Sequence, residues 1–299
     1  MWGLEPRAKL QLVLEQSSHH VALACRIWHY RPVNRHVHAQ IKRPTPAPSL
    51  TSVNTEPVAP TYRRAAPWLH KLLNSVCKRD WDDFPALPKT GPAILVGNHL
   101  SSLDALIVAD YVIYHGRYPY FLGKSSLWHI PVLGRFLRAI GQIPVYRGTD
   151  HIADALIEAR HRLEAGHVVL IFPEATTARD PLLWPFAGKT GTARLAMETG
   201  APVIPFGHWG VSTVCPDNAG PQRTPHLLPR HWVCFRSGEP VDLSAFGCDT
   251  SNRDAVRAAT AAIVDAIVPL VEQARGEEAP PLRWNPKLGE YVAPELAVW

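Results

Sequence analysis

An apolar run followed by a polar turn occupies residues 93–104, which read AILVGNHLSSLD. The AILV run predicts a short buried strand, and the Gly-Asn pair after it ends that strand. Ser101 or Ser102 is then expected to cap a helix whose first turn contains Asp104. The segment therefore predicts a strand, a turn and a helix in immediate succession, the unit from which α/β folds are built.

The same segment places His99 five residues before the carboxylate of Asp104. On a continuous helix that spacing separates the two side chains by roughly 140°, so they would not meet on one face. If His99 instead lies in the turn between strand and helix, Asp104 can reach back to its imidazole ring. A histidine oriented by a carboxylate is suited to act as a general base. The alternative is a helix-capping turn that contains a histidine without a chemical role.

Strands and helices alternate along the rest of the central chain. Further apolar segments predict strands at residues 119–122, 143–146, 167–172, 202–206 and 231–235. Helical patterns occupy residues 102–114, 125–140 (in pieces), 152–165, 188–199 and a long stretch from 251 or 252 to 274. This alternation predicts an α/β fold with a mostly parallel mixed sheet flanked by helices, preceded by an N-terminal amphipathic helical segment.

The composition limits the classes of protein. The chain has 299 residues with 46% hydrophobic content, enough for one large core, and a formal net charge of +5 that favours anionic ligands. Its five cysteines contain no C-x-x-C pair and indicate a reducing compartment, and its histidines lack the spacing of metal ligands, so no metal is predicted. No nucleic-acid-binding motif accompanies the basic charge, and no nucleic-acid partner is expected.

The ends of the chain differ from its centre. Residues 1–61 are expected to form a poorly ordered extension with a linker rich in Pro, Ser and Thr, and residues 277–299 an extended tail. Between them, residues 62–80 interleave basic side chains with Trp68 and several leucines at helical spacing. Such a helix is a candidate for the membrane surface, although packing on the core explains the pattern equally well. Because no apolar stretch reaches 18 residues and no signal-peptide pattern is present, we expect the protein at the cytoplasmic side of the membrane.

Charged side chains follow several of the predicted strands. Lys124, Arg147 and Arg179 each come shortly after a strand, as do Glu174 and Thr176. In α/β sheets ligands bind at the carboxyl ends of the strands, and arginine and lysine are the side chains that bind phosphate. These residues are therefore candidates for a phosphate site beside His99, with solvated surface charge as the alternative.

Other enzyme classes lack their motifs. The chain contains neither the G-x-S-x-G of serine hydrolases nor the G-x-G-x-x-G of dinucleotide-binding proteins. The triplet Gly188-Lys189-Thr190 resembles the end of a P-loop, but Leu183 occupies the place of the first glycine.

Taken together, four motifs in order over residues 62–215 resemble those of the glycerolipid acyltransferases. The N-H-x(4)-D motif matches Asn98, His99 and Asp104, and a glycine followed by a strand and an arginine matches Gly141–Arg147. The third motif, F-P-E-G-T-R-S, matches at Phe172, Pro173, Glu174 and Thr176, and the fourth, an apolar V-I-P segment, matches residues 203–205. Within the third motif, Ala175 replaces the family's glycine and Thr177 replaces its arginine. Alanine tolerates a positive φ poorly, and phosphate binding would be weakened unless Arg179 replaces the arginine.

The resemblance implies an acyltransferase domain over residues 62–276 and a mechanism. His99, held by Asp104, removes the proton from a hydroxyl of lysophosphatidate as that oxygen attacks an acyl thioester, which yields phosphatidate. The side chains that would bind the substrates are Asn98, Lys124, Arg147, Glu174, Thr176 and Arg179. Backbone N–H groups near the second motif would stabilise the oxyanion. The implied partners are acyl-CoA or acyl carrier protein, a lysophospholipid acceptor and a membrane surface, without a cofactor.

The sequence leaves three alternatives open. The acceptor could be another lysophospholipid, glycerol 3-phosphate or a glycolipid, or the chain could be a non-catalytic lipid-binding protein of the same fold. The apolar stretch of residues 127–140 could line an acyl channel or belong to the core.

Overall fold

The computed structural model describes residues 56–147, 152–216 and 226–294, together with residue 297. Residues 1–55 of the predicted N-terminal extension lie outside the described residues. The α-helices are α1 (Pro60–Val76), α2 (Asp104–Tyr114), α3 (Pro131–Ala139), α4 (Ile152–Glu164), α5 (Gly191–Thr199), α6 (Val211–Val214) and α7 (Arg253–Arg275). The strands are β1 (Cys77–Trp81), β2 (Ala93–Gly97), β3 (Pro119–Lys124), β4 (Ile143–Val145), β5 (Val168–Ile171), β6 (Val203–Trp209), β7 (His231–Ser237), β8 (Arg283–Asn285) and β9 (Glu290–Val292). Short 3-10 helices cover Ser125–His129 and Ser244–Phe246.

Strands β1 to β7 form one sheet in the order β1-β7-β6-β2-β5-β3-β4. The five neighbouring strands β6, β2, β5, β3 and β4 are parallel to one another, whereas β7 is antiparallel to β6 and parallel to β1. The predicted α/β fold with a mostly parallel mixed sheet is thus confirmed. Because the five strands run the same way, their carboxyl ends lie along one edge of the sheet, where ligands bind in this class of fold.

Helices cover both faces of the sheet, as the unbroken apolar runs of its central strands require. In β2, Leu95 packs into a core that contains Tyr62 of α1 and Tyr111 of α2. Its neighbours Ile94 and Val96 point the other way, into a core shared with α4, α5 and α7. All four apolar residues of β2 are inaccessible to solvent, so the strand that leads to His99 is held rigidly from both sides.

The six apolar segments that predict strands all lie in the sheet, and the boundaries differ most for β6. This strand continues to Trp209, beyond the predicted end at residue 206. At Gly207, within the extension, a Cβ atom would lie 2.4 Å from the backbone of Leu270 and Val271 in α7. The extended strand therefore depends on a glycine that lets the long helix approach its backbone.

The prediction of one continuous helix over residues 62–80 is wrong at its C-terminal end. The helix runs from Pro60 to Val76, and the next five residues form the edge strand β1. This strand pairs with β7, more than 150 residues later, and an ion pair of 2.9 Å joins Asp80 to Arg236 of β7. The partner is distant in sequence, so the local helical pattern carries no sign of the change.

The extended C-terminal tail predicted from residue 277 also requires correction. Strands β8 and β9 form a two-stranded antiparallel hairpin. The rings of Trp284 and Tyr291 contact each other across it, with centroids 5.2 Å apart. Strands of three residues are too short for a period-two pattern to identify them.

Across the described segments, the helices are too short or too polar for any of them to traverse a lipid bilayer.

Candidate active site

His99 lies in the turn between β2 and α2, which we call the His99 turn (residues 98–103). Its Nδ1 atom lies 2.8 Å from Oδ2 of Asp104, the first residue of α2. The same carboxylate oxygen accepts the backbone N–H groups of Leu100 and Ser101, at 2.5 and 2.8 Å. The Asp104 side chain is fully buried, so these donors replace the hydration of Oδ2, whereas Oδ1 has no hydrogen-bond partner among the described residues. One carboxylate thus shapes the turn and orients the imidazole ring.

Neither serine of the turn caps α2, contrary to the sequence prediction. The residue before the helix is Leu103, and its side chain makes no capping hydrogen bond. The Ser101 hydroxyl instead donates to the carbonyl of Cys215 at 2.7 Å and accepts the N–H of Leu103 at 3.2 Å. Asp104 satisfies the backbone at this position because its carboxylate points back into the turn.

The His99 ring is partly open to solvent. Its side chain is 17% exposed, and it stacks on Phe172 with the ring centroids 4.3 Å apart. A carboxylate at Nδ1 selects the tautomer that carries its proton on this nitrogen, which leaves the Nε2 lone pair to accept a proton. The ring therefore has the orientation and the access that a general base needs.

Asn98, predicted to bind substrate, joins β2 to β6. Its side-chain amide donates to the carbonyl of His208 at 2.9 Å and accepts the N–H of the same residue at 2.9 Å. The His208 ring, fully buried, contacts the Asn98 carbonyl through Nε2 at 2.8 Å and lies 3.7 Å from Asp104. Burial lowers the pKa of His208, so the neutral ring is favoured beside the His99 turn. We identify Asn98 as a residue that positions His99.

Sequence reasoning did not find His208. It lies three residues after the fourth motif, whose Val203–Pro205 segment could have directed attention to the end of β6. The partner that gives His208 its place is Asn98, 110 residues earlier.

Glu174 follows β5 and forms a hydrogen bond with the backbone of the His99 turn. It is 2% exposed, and its Oε1 accepts the backbone N–H of His99 at 3.2 Å. Within the described part of the chain, its Oε2 has no hydrogen-bond partner. Burial, with the charges of Asp180 and Asp104 adding to it, raises the pKa of Glu174 well above its ordinary value. The geometry gives Glu174 a contact to the backbone of His99.

The loop after β5, residues 172–180, is the third-motif turn. Ala175 adopts φ 55°, so the left-handed conformation is kept although alanine replaces the family's glycine. The N–H of Ala178 donates to the carbonyl of His99 at 2.6 Å. The third-motif turn and the His99 turn are therefore joined by two hydrogen bonds, one from the His99 N–H to the Glu174 side chain and one between backbone groups. Thr176, between them, is half-buried.

Two of the predicted cations, Arg147 and Arg179, lie close enough to Lys189 for their charges to affect its pKa. Burial and the charges of Lys287, Arg179 and Arg147 lower the pKa of Lys189. The backbone N–H of Lys189 donates to the carbonyl of Pro173 at 2.8 Å, which attaches this residue to the third-motif turn. Lys124 ends β3 at the same edge of the sheet and is exposed. Lys189 and Lys287 were not among the predicted residues, because Lys189 appeared only in a failed P-loop match and Lys287 in the tail.

The apolar stretch of residues 127–140 divides between core and surface. Trp128, Leu137 and Ile140 are buried in the core beneath α1 and α2. Ile130 and Val132 are 48% and 81% exposed. Core packing accounts for the buried half of the stretch.

The part of the chain that carries this site is similar to known proteins. Residues 82–209 match the protein family Acyltransferase. The chain is 30% identical over 151 residues to the chloroplastic 1-acyl-sn-glycerol-3-phosphate acyltransferase of Brassica napus, covering 50% of this chain and 42% of that protein. It is 33% identical over 121 residues to a 1-acyl-sn-glycerol-3-phosphate acyltransferase of Borreliella burgdorferi, covering 40% of this chain and 46% of that protein. The chain thus spans less than half the length of these two relatives.

The fold is also similar to a solved structure. The 1-acyl-sn-glycerophosphate acyltransferase PlsC of Thermotoga maritima superposes with a TM-score of 0.51 at 19% identity, over 88% of this chain and 91% of that one. This likeness concerns the fold. The family match over residues 82–209, which include His99, Asp104 and Glu174, confirms the sequence resemblance to acyltransferases over that part of the chain.

Proposed function

We propose that this protein transfers a fatty acyl group from an acyl thioester to the free hydroxyl of lysophosphatidate. The observation that carries the proposal is the 2.8 Å contact between His99 Nδ1 and the buried Asp104 carboxylate, at the carboxyl edge of the parallel strands. The names of the similar proteins from Brassica napus and Borreliella burgdorferi support the choice of acceptor.

In this mechanism His99 acts through its exposed side. Asp104 keeps the proton on Nδ1, and Nε2 takes the proton of the acceptor hydroxyl as that oxygen forms a bond to the thioester carbonyl carbon. The tetrahedral oxyanion collapses, the carbon–sulfur bond breaks, and the thiolate leaves and recovers the proton from the imidazolium. The buried carboxylate stabilises the imidazolium that exists between the two proton transfers. The acceptor is the nucleophile, so no acyl-enzyme forms.

Cations at the same edge would bind the acceptor's phosphate. Arg147, which follows β4, and Arg179, in the third-motif turn, lie close enough to Lys189 for their charges to affect it. Guanidinium groups bind phosphate oxygens in pairs, and lysine adds a point charge. In this proposal Arg179 supplies the charge that Thr177 removes from the third motif.

The donor and the membrane complete the proposal. Acyl-CoA or acyl carrier protein would supply the thioester, and the protein would act as a peripheral protein on the cytoplasmic side of the membrane. Support for a membrane surface comes from α1, where Trp68 and Leu72 are 73% and 62% exposed beside the basic residues Arg64 and Lys71.

The proposal is tested by acyl transfer from labelled acyl-CoA and acyl carrier protein to a panel of acceptors. The panel contains lysophosphatidate, glycerol 3-phosphate, lysophosphatidylethanolamine and a control without acceptor. Product with lysophosphatidate supports the proposal, and product only with another acceptor replaces the substrate while keeping the reaction. Arg147→Gln should raise the KM for lysophosphatidate, whereas Arg253→Gln, on the exposed first turn of α7, should leave it unchanged. Absence of product with every acceptor and both donors would contradict the proposal.

A further inference from the structure

The C-terminal hairpin (residues 283–292) lies outside the matched family domain and is attached to the candidate active site. The hydroxyl of Tyr291, in β9, donates to Oδ1 of Asp180 at 2.6 Å. Asp180 is 3% exposed and ends the third-motif turn, in which Ala178 donates to the carbonyl of His99 at 2.6 Å. Two hydrogen-bonded steps therefore connect the hairpin to the turn that holds the general base.

A second attachment fixes the other strand of the hairpin. Arg283, in β8, forms an ion pair of 2.7 Å with Asp265 of α7. Its charge also acts on the buried carboxyl of Glu174, which contacts the backbone of His99. The hairpin is thus held to the third-motif turn through β9 and to α7 through β8.

The turn between the two strands presents Lys287. The side-chain oxygen of Asn285 accepts the backbone N–H groups of Lys287 and Leu288, at 3.0 and 3.3 Å. The N–H of Gly289 donates to the carbonyl of Asn285 at 2.8 Å, and Gly289 has φ 71°. Asn285 is 5% exposed, so a buried side chain determines the direction of this turn.

Lys287 adds a positive charge to the cluster formed by Lys189, Arg179 and Arg147. Among the charges that lower the pKa of Lys189, that of Lys287 comes first, ahead of Arg179 and Arg147. Positive charges this close together repel one another. An anion bound among them is attracted to each charge and offsets that repulsion. A phosphomonoester is the anion that suits such a cluster, because at neutral pH it carries between one and two negative charges on three acceptor oxygens.

We propose that Lys287, presented by the C-terminal hairpin, is a specificity-determining residue that binds a phosphomonoester group together with Arg147, Arg179 and Lys189. The inference rests on the proposed function and extends it, because it makes a segment beyond the family domain part of the acceptor site. It implies preference for lysophosphatidate, whose phosphate is a terminal monoester, over lysophosphatidylethanolamine, whose phosphate is a diester with an ammonium group.

The test compares Lys287→Gln with Lys89→Gln in the full chain. Lys89 is an equally exposed lysine, but it lies before β2, at the opposite edge of the sheet. We expect Lys287→Gln to raise the KM for short-chain lysophosphatidate by about threefold to fivefold, the upper part of the range for a solvent-exposed contact between opposite charges. Its kcat, and its KM for lysophosphatidylethanolamine, should change less than twofold. Lys89→Gln should change neither.

Two further arms assign the phosphate and separate this inference from the proposed function. The KM for acyl-CoA is compared with that for acyl-dephospho-CoA, because the 3′-phosphate of the donor is also a monoester. A rise confined to lysophosphatidate assigns the site to the acceptor, and a rise confined to acyl-CoA assigns it to the donor. If the wild-type protein shows no turnover, calorimetric titration with short-chain lysophosphatidate gives the same comparison as a ratio of Kd values. Equal constants for Lys287→Gln and wild type in every arm would overturn the inference.

Discussion

Ala175 shows how a single residue can depart from a motif without changing its backbone. Ala175 has φ 55°, a conformation that is strained for residues other than glycine. The hydrogen bond from the N–H of Ala178 to the carbonyl of His99 is nevertheless formed. The retained turn explains why Glu174 still reaches the N–H of His99.

We therefore predict that Ala175→Gly stabilises the protein. Relief of the left-handed strain should raise the free energy of unfolding by about 1 kcal/mol, after the greater entropy of glycine in the unfolded chain is subtracted. Equilibrium denaturation in urea measures this change. The matched control is Ala258→Gly, at an exposed position in α7, which should lower the free energy of unfolding by about 1 kcal/mol. A loss of stability in Ala175→Gly would show that the alanine side chain makes a contact worth more than the strain.

Glu174 gives a prediction about pH. Because burial raises its pKa above the unfolded-state value, the folded protein binds more protons at this site than the unfolded chain does. The contribution of Glu174 to stability is therefore complete below the ordinary carboxyl pKa of about 4.3 and is lost as the pH rises through the folded-state value. Glu174→Gln does not titrate, so the stability of the variant relative to wild type should improve as the pH rises above the ordinary carboxyl pKa. A difference that is independent of pH, measured by urea denaturation, would contradict the buried, proton-binding carboxyl.

The contact between His99 and Asp104 could be predicted from the sequence because it is local. Five residues and one change from strand to helix place the two side chains together, and the structure shows the contact. The contacts of Asn98 could not be predicted in this way. Its partner His208 lies on another strand. The apolar pattern of β6 gives no indication that the C-terminal end of this strand contains a histidine hydrogen-bonded to Asn98.

At the scale of elements, strands with long apolar runs could be predicted and elements defined by distant partners could not. The centre of the sheet is buried on both faces, so its strands show as continuous hydrophobic segments. The edge strand β1 reads Cys-Lys-Arg-Asp-Trp and depends on its pairing with β7. The C-terminal hairpin likewise depends on Tyr291 and its hydrogen bond to the third-motif turn.

The α1 helix carries a prediction at this scale. If its exposed face binds membranes, the double variant Trp68→Ala and Leu72→Ala should reduce partitioning onto phosphatidylglycerol–phosphatidylethanolamine vesicles by at least about tenfold, because two large apolar side chains no longer leave water. Vesicle cosedimentation measures this change. The control is Ile157→Ala, which removes an apolar side chain, 53% exposed, from α4. Point variants are preferred to deletion of residues 62–80, because that deletion would also remove most of β1. Unchanged partitioning of the double variant would exclude α1 as the anchor.

At the scale of the whole molecule, the parallel arrangement of five strands gathers the site. Residues from the ends of β2, β3, β4 and β5 are far apart in sequence, and the sheet brings them to one edge. The parallel alternation of strands and helices made that edge predictable, and with it the positions of Arg147 and Arg179. Lys189 and Lys287 were not predictable, since each reaches the cluster through a loop whose path depends on tertiary contacts.

The central claim is that His99 is the base for acyl transfer to lysophosphatidate, and one comparison tests it most directly. Steady-state transfer from acyl-CoA is measured for wild type, for His99→Ala and for His129→Ala, which changes an exposed histidine next to α3. The account predicts that His99→Ala lowers kcat by about 10²- to 10⁴-fold, with an unchanged KM for lysophosphatidate and an unchanged unfolding midpoint, while His129→Ala behaves as wild type. A kcat of His99→Ala within tenfold of the wild-type value would contradict it.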